Sequence, residues 1–224
     1  MAAAGPIHTH IFLYLQACFH RLLLRETNPL SFRIVRKIFQ VLKTVENEVS
    51  LKYPVFEKKL PDDIYFISSN ELLKKYPNLT SKEREHAICR EHKAVFIYQI
   101  GWPLENGMPH DGRASDYDDW NLNGDILVWF DTLNISLELS SMGIRVDGES
   151  LVKQVKHKKE EDKLSNPYGK SLLNGELPLT IGGGIGQSRL CMYFLEKAHI
   201  GEVQASIWSK EDIDLLKKHN IHLL

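Results

Sequence analysis

Ile181-Gly182-Gly183-Gly184-Ile185-Gly186-Gln187-Ser188-Arg189-Leu190 decides how the rest of the chain is read. Three consecutive glycines followed by Gly186 strip the side chains from one short run of backbone. Glycine tolerates positive φ and lets another group come close to the chain. Leu190, Cys191, Phe194 and Leu195 then recur at helical spacing, so a glycine-rich turn feeding a helix is expected. Side-chain-free backbone can lie against a flat base, and Arg189 in the first helical turn can offer its guanidinium to a phosphate or stack on a ring. A tight strand-to-helix turn with no ligand is the competing reading of the glycines alone, because short glycine motifs recur by chance.

The chain has 224 residues, enough for one domain with a sizeable core. It is 43% hydrophobic and 25% charged, as a folded globular protein is. A net charge of −1 offers no electrostatic pull toward a polyanion, so nucleic acid is not an expected partner. Cys18, Cys89 and Cys191 are far apart and odd in number, which fits neither a disulfide framework nor a zinc site and suits a reducing compartment. The apolar run Ile11 to Leu24 is interrupted by Gln16, His20 and Arg21, so no membrane span is expected and the location is read as cytoplasmic.

Residues 1–30 differ from the rest, and the main domain is placed at 31–224. A helix is expected from Ser31, as cap, to about Tyr53, with Val35, Ile38, Val41, Leu42, Val45 and Val49 as its apolar stripe. Ile64 to Ile67 and Ala94 to Ile100 read as strands. Ser68 to Tyr76 reads as a short helix, and Thr80-x-x-Glu83 as a capping box opening another. After a polar loop, Gly124 to Phe130 and Ser136 to Ser140 read as strands joined by the turn Asp131 to Asn134, with Ile144 to Val146 as a further short strand. Lys153–Lys163 reads as a mixed-charge helix or a solvated loop, helices are expected over Tyr168–Asn174 and Lys210–His219, and a strand over Val203–Trp208. Hairpin-length turns between strands favour an α+β fold with an antiparallel sheet flanked by helices.

The chemistry clusters before and within the central strands. His110-Asp111-Gly112-Arg113-Ala114-Ser115-Asp116-Tyr117-Asp118-Asp119-Trp120 is dense in acids around one arginine. A solvated acidic loop is the plain reading, but Tyr117 and Trp120 are residues that usually bury. Carboxylates flanking an arginine suit a zwitterion, the acids taking an ammonium and the arginine a carboxylate or phosphate. Asp125 and Glu138 are read at strand ends, where a carboxylate pair can hold Mg²⁺ carried by ATP. Turn capping or pairing with a lysine is the alternative for each.

Together these strings resemble one family. His110-Asp-x-Arg113-Ala-x-Asp116-Tyr-Asp118-Asp119-Trp120, Leu122-Asn-Gly-Asp125-Ile-Leu-Val-Trp129, Glu138-Leu-Ser-Ser-Met-Gly-Ile-Arg145-Val-Asp147 and Thr180-Ile-Gly-Gly-Gly-Ile-Gly-Gln-Ser-Arg-Leu190 are similar to the ammonia-dependent asparagine synthetases, relatives of the class II aminoacyl-tRNA synthetases. The likeness runs from about residue 31 to about 208. It implies a class II synthetase-like catalytic core, and a reaction in which L-aspartate, ATP and ammonia give L-asparagine, AMP and pyrophosphate through β-aspartyl-AMP. By the same resemblance Arg189 and Asp118 carry the catalytic roles. Arg113, Asp118 and Ser141 contact the amino-acid substrate. Asp125, Glu138, Gly184, Gly186 and Arg189 bind ATP, with Glu138 and Asp125 facing its Mg²⁺. A homodimer is one assembly the resemblance allows.

The family also carries an N-terminal block, with further strands and substrate-holding residues, that is not found here. The expectation is therefore an incomplete catalytic core behind an unrelated start, with sheet edges left bare. A non-catalytic synthetase-like domain that binds or regulates a partner is the alternative. A tRNA synthetase is weaker, since no anticodon-binding module is visible.

Overall fold

A computed structural model describes residues 29–224. The apolar run near residues 11–24, Cys18 and the expected boundary at residue 30 lie outside or at the edge of the described residues. Helix α1 (Pro29–Lys52) already includes position 31, so the helix starts before Ser31. Its buried stripe is Val35, Phe39 and Leu42, while Val41 and Val45, expected in that stripe, are 59% and 40% exposed. Glu46 continues the buried face. Its carboxylate accepts the backbone N–H groups of Lys59 at 2.7 Å and Leu60 at 2.9 Å, fixing the chain as it turns back after Pro54.

Five strands form one sheet in sequence order: β1 (Tyr65–Ser68), β2 (Ala94–Tyr98), β3 (Asp118–Phe130), β4 (Ile135–Arg145) and β5 (Ile181–Ile185). The sheet is antiparallel as expected, except that β1 runs parallel to β2. A parallel neighbour needs a crossover, supplied by α2 (Ser69–Lys75) and α3 (Ser81–His92). Both helices start on capping boxes, Ser68 with Glu71 and the expected Thr80 with Glu83. The turn Asp131–Asn134 joins β3 to β4, with Asn134 left-handed at φ 55°.

One sheet face packs Phe96, Ile126, Val128, Leu139 and Met142 against α1 and against Met192 and Tyr193 of α6 (Gln187–Phe194). The other packs Val95, Ile97, Leu127 and Trp129 against Leu72 of α2 and Ile88 and Cys89 of α3. Burial of each large apolar side chain contributes roughly 1.5–3 kcal/mol, so the sheet is held from both sides. Val146, Leu151, Val155 and Leu172 form a smaller cluster that docks α4 (Gly148–Lys158) and α5 (Pro167–Leu173) beside the end of β4.

Three expectations change. Ile144–Val146 is no separate strand: Ile144 and Arg145 complete β4. Val203–Trp208 forms no strand, because Val203 packs singly against the first core and the Trp208 ring rests on His199 with centroids 4.9 Å apart. A 3₁₀ turn at Ile200–Glu202 precedes this irregular stretch, and α7 (Lys210–Lys218) follows it. The charged stretch after α4 is likewise a 3₁₀ turn, Glu161–Ser165. Among the described residues no helix is long and apolar enough to cross a membrane.

Candidate active site

The glycine run lies in an edge strand. Gly182, Gly183 and Gly184 belong to β5, Gly186 is the residue before α6, and none of the four has positive φ. Their use is close approach. Gly183 turns toward the core, where an added Cβ would come within 2.7 Å of the Met142 Cβ. Gly182 turns the other way, where a Cβ would overlap the Arg145 guanidinium, whereas at Gly184 a Cβ would meet nothing within 4 Å. Side chains alternate between faces along a strand, so Gly182 and Gly184 share the face opposite the α1–α6 core.

That face collects the predicted residues. Gly184 pairs with Ser141 on β4, which pairs with Asp125 on β3, giving one row across three strands. Asp125 and Glu138 were expected at strand ends, but β3 begins at Asp118 and β4 at Ile135, so both acids lie within the sheet. The separation of Glu138 from Ser141 along β4 is odd, which would put the two on opposite faces of a regular strand. A β-bulge at Leu139 prevents this. Ile126 pairs with Ser140 and Leu127 with Glu138, leaving Leu139 as the extra residue, buried in the core. The bulge returns Glu138 to the face of Asp125 and Ser141, as bulges re-aim side chains.

Charges then alternate along the face. Arg145 pairs with Asp118, its register partner on β3, and its guanidinium lies 3.8 Å over the Tyr117 ring. Gly143 leaves room for this pair, since a Cβ there would stand 2.8 Å from the Asp118 Cγ. Arg113 donates to Asp125 and, at 3.1 Å, to Asp111. Arg189 reaches the Glu138 carboxylate at 3.3 Å and the Glu138 carbonyl at 3.1 Å. Burial raises the Asp118 carboxyl above its ordinary range against the opposing pull of Arg145 and Arg113. Burial pushes Asp125 up to about 6; Arg113 opposes this and the nearby Glu138 charge adds to it. The Ser141 hydroxyl also favours the charged form, but no donor reaches Asp125 Oδ1 in hydrogen-bonding geometry.

Asp118, Arg113, Asp125, Ser141, Glu138, Gly184 and Arg189 thus share one face, with Gly186 at its edge leading into α6. Two hollows elsewhere, one bordered by Glu46, Lys59 and Tyr193 and one by Trp208, Lys217 and Leu224, do not involve it. Among the described residues no group of three or more metal-ligating side chains converges. Asp125 and Glu138 offer two carboxylates, one with an unpartnered buried oxygen, which suits a magnesium ion that arrives already bound to phosphates.

Some contributors were not singled out from the sequence. Arg145 carries no local signal of its role, because its partner Asp118 lies 27 residues away. Gln154 sits in a lysine-rich stretch that reads as solvated, yet it is completely buried. His110 is buried too, its Nε2 3.3 Å from the Glu85 carboxylate, tying the acidic loop to α3.

A family model described as "Aspartate-ammonia ligase" matches residues 23–220. The chain belongs to the aspartate–ammonia ligase family. The aspartate–ammonia ligase of Fusobacterium nucleatum is 56% identical over 191 residues, covering 85% of this chain and 58% of that protein. That of Ruminiclostridium cellulolyticum is 57% identical over 191 residues, covering 85% and 57%. The chain therefore spans somewhat over half the length of the curated family members it matches. Among solved structures, the aspartyl-tRNA synthetase of Entamoeba histolytica aligns with a TM-score of 0.55 at 18% identity, over 80% of this chain and 40% of that one. The asparaginyl-tRNA synthetase of the same organism, in complex with asparaginyl-adenylate, aligns at 0.52 and 16% identity, over 79% and 42%. The fold of this family member is that of a class II synthetase catalytic core.

Proposed function

We propose that this chain takes part in ATP-dependent synthesis of L-asparagine from L-aspartate and ammonia. The observation that carries the reading is the single sheet face on which Asp118–Arg145, Arg113–Asp125 and Glu138–Arg189 line up beside the open strand at Gly184. The family supports the same reaction.

In this reading the aspartate β-carboxylate attacks the α-phosphorus of ATP and pyrophosphate leaves. Ammonia then attacks the acyl carbon of β-aspartyl-AMP, and AMP leaves. The chain's residues position reactants and neutralise charge. Gly184 and Gly186 give the nucleotide a ledge without side chains. Arg189 takes the nucleotide by releasing Glu138; that pair is about half exposed, and such pairs contribute on the order of 0–1 kcal/mol. A guanidinium–phosphate contact is the stronger bond. Asp125 and Glu138 would hold the Mg²⁺ carried by ATP, which supplies neutralisation at the phosphates. Asp118 receives the aspartate amino group or the incoming ammonium. Ser141, between Asp125 and Gly184, and Arg113 line the amino-acid side. Arg113 is engaged by two carboxylates, so its part is to hold Asp125 and shape the wall.

The test supplies the purified chain with ATP, Mg²⁺, L-aspartate and ¹⁵N-ammonium and looks for ¹⁵N-asparagine with equimolar AMP. The expected result is labelled asparagine that requires all four components. ATP and aspartate binding without any aspartate-dependent pyrophosphate exchange would overturn it in favour of a non-catalytic binding domain.

A further inference from the structure

Asp118 stands where the β3–β4 ladder breaks. It pairs with Arg145, but the next register pair is Asn123 with Gly143, so the backbone between them runs outside the ladder. Buried backbone groups without partners are costly. One side chain supplies the missing bonds. Gln154, from α4, donates through Nε2 to the Ser115 carbonyl and to the Asp118 carbonyl, each at 3.0 Å. Its Oε1 accepts the Trp120 N–H at 2.9 Å. Both amide hydrogens and the oxygen are used, and the side chain is completely buried. The amide acts as a one-residue surrogate for a neighbouring strand, gripping the chain on both sides of Asp118.

We infer that Gln154 is a positioning residue that sets the Asp118 carboxylate for its amine ligand, acting through the backbone of residues 115–120. This rests on the reading that Asp118 binds an amine. No isosteric replacement preserves the set of bonds. Glutamate keeps the acceptor but loses both donors and brings a buried charge; methionine keeps the volume and loses all three bonds. The acidic loop is also tied down by Lys163, which bonds Asp116 at 2.8 Å and Ser115 at 3.2 Å, by the Ser115–Glu160 hydrogen bond at 2.5 Å, by His110 against Glu85, and by the Val146 N–H, which donates to the Tyr117 carbonyl at 3.0 Å. None of those contacts involves Gln154, so losing Gln154 should loosen Asp118 without detaching the loop.

The experiment compares wild type, Gln154→Met and Gln154→Glu as full chains. Calorimetry measures L-aspartate and Mg·ATP binding separately, and ¹³C NMR follows the Asp118 carboxyl through a pH titration. Its field comes from Arg145, Arg113 and the adjacent Asp119, with Tyr168 close by. In both variants aspartate affinity is expected to fall about tenfold or more while Mg·ATP affinity stays within about twofold, the loss of two or three buried hydrogen bonds being ample for that. The Asp118 titration midpoint should move with it. Equal loss of both ligands, or unchanged aspartate affinity with an unmoved Asp118 titration, would overturn the inference. Should wild type bind no aspartate, the reading of Asp118 fails, and the carboxyl titration still decides whether Gln154 positions it. If Gln154→Met does not fold, Gln154→Asn, which keeps the amide one methylene short, gives the same two readouts.

Discussion

Gly182 lies directly beneath the guanidinium of Arg145, at a distance that leaves no room for a side chain on β5. Gly182→Ala should push Arg145 off Asp118. Because Arg145 is a flexible side chain, the fold should survive with a loss of about 1–3 kcal/mol, as overpacking substitutions cost. Aspartate affinity should fall much more than the melting temperature suggests, which calorimetry and thermal unfolding on the same sample would check.

Adjacent glycines should separate into packing and ligand roles. Gly183→Ala brings a Cβ against Met142 in the core and should destabilise by about 1–3 kcal/mol. Gly184→Val meets open space and should fold normally, yet obstruct the ledge and abolish ATP binding. Thermal unfolding paired with nucleotide titration reads both; loss of ATP binding with no loss of stability is expected only at Gly184.

Arg189→Ala should eliminate aspartate-dependent ATP–pyrophosphate exchange, with a drop of at least about 100-fold. Its partner Glu138 is solvent-accessible, so the melting temperature should move little. Normal exchange in this variant would remove Arg189 from the site.

Asp125 gives the chain a pH signature. Its folded pKa is raised to about 6 from 3.8. Between those values the folded state holds a proton that the unfolded state has released, so the group's contribution to stability falls as pH rises and reaches its full penalty above about 6. A shift of about 2 units corresponds to roughly 3 kcal/mol. Asp125→Asn removes that slope: its stability relative to wild type should improve from pH 4 to pH 7. Denaturant titrations at both pH values measure it, and a parallel pH dependence in the two proteins would contradict it.

Much of this was legible because the informative residues sit close together in sequence. Thr80 and Glu83 announce a helix start by chemistry alone, and Gly186 to Arg189 announce a helix with a guanidinium in its first turn, whereas the glycines before it, expected in a turn, form strand β5. The strand lengths were less legible. Trp120 buries as expected but Tyr117 is 57% exposed, and Asn123, in a run rich in acids and asparagines, is buried and held by Ile100, whose N–H it accepts at 2.8 Å. Val41 and Val45 satisfy helical spacing as well as Phe39 does, and only the position of the sheet decides which stripe it covers. Arg145 with Asp118, and Gln154 with three backbone groups, are long-range pairings that no local pattern encodes.

The extra residue at Leu139 also sets how substitutions along β4 will be felt. Before it, even-numbered positions (Ser136, Glu138) lie on the sheet face of Asp125, Ser136 there buried against His86 of α3; after it, odd-numbered ones do (Ser141, Gly143, Arg145). A residue-by-residue scan of activity should therefore show a two-residue rhythm that changes phase once, at position 139. A scan of stability should show the complementary rhythm, inverted at the same place.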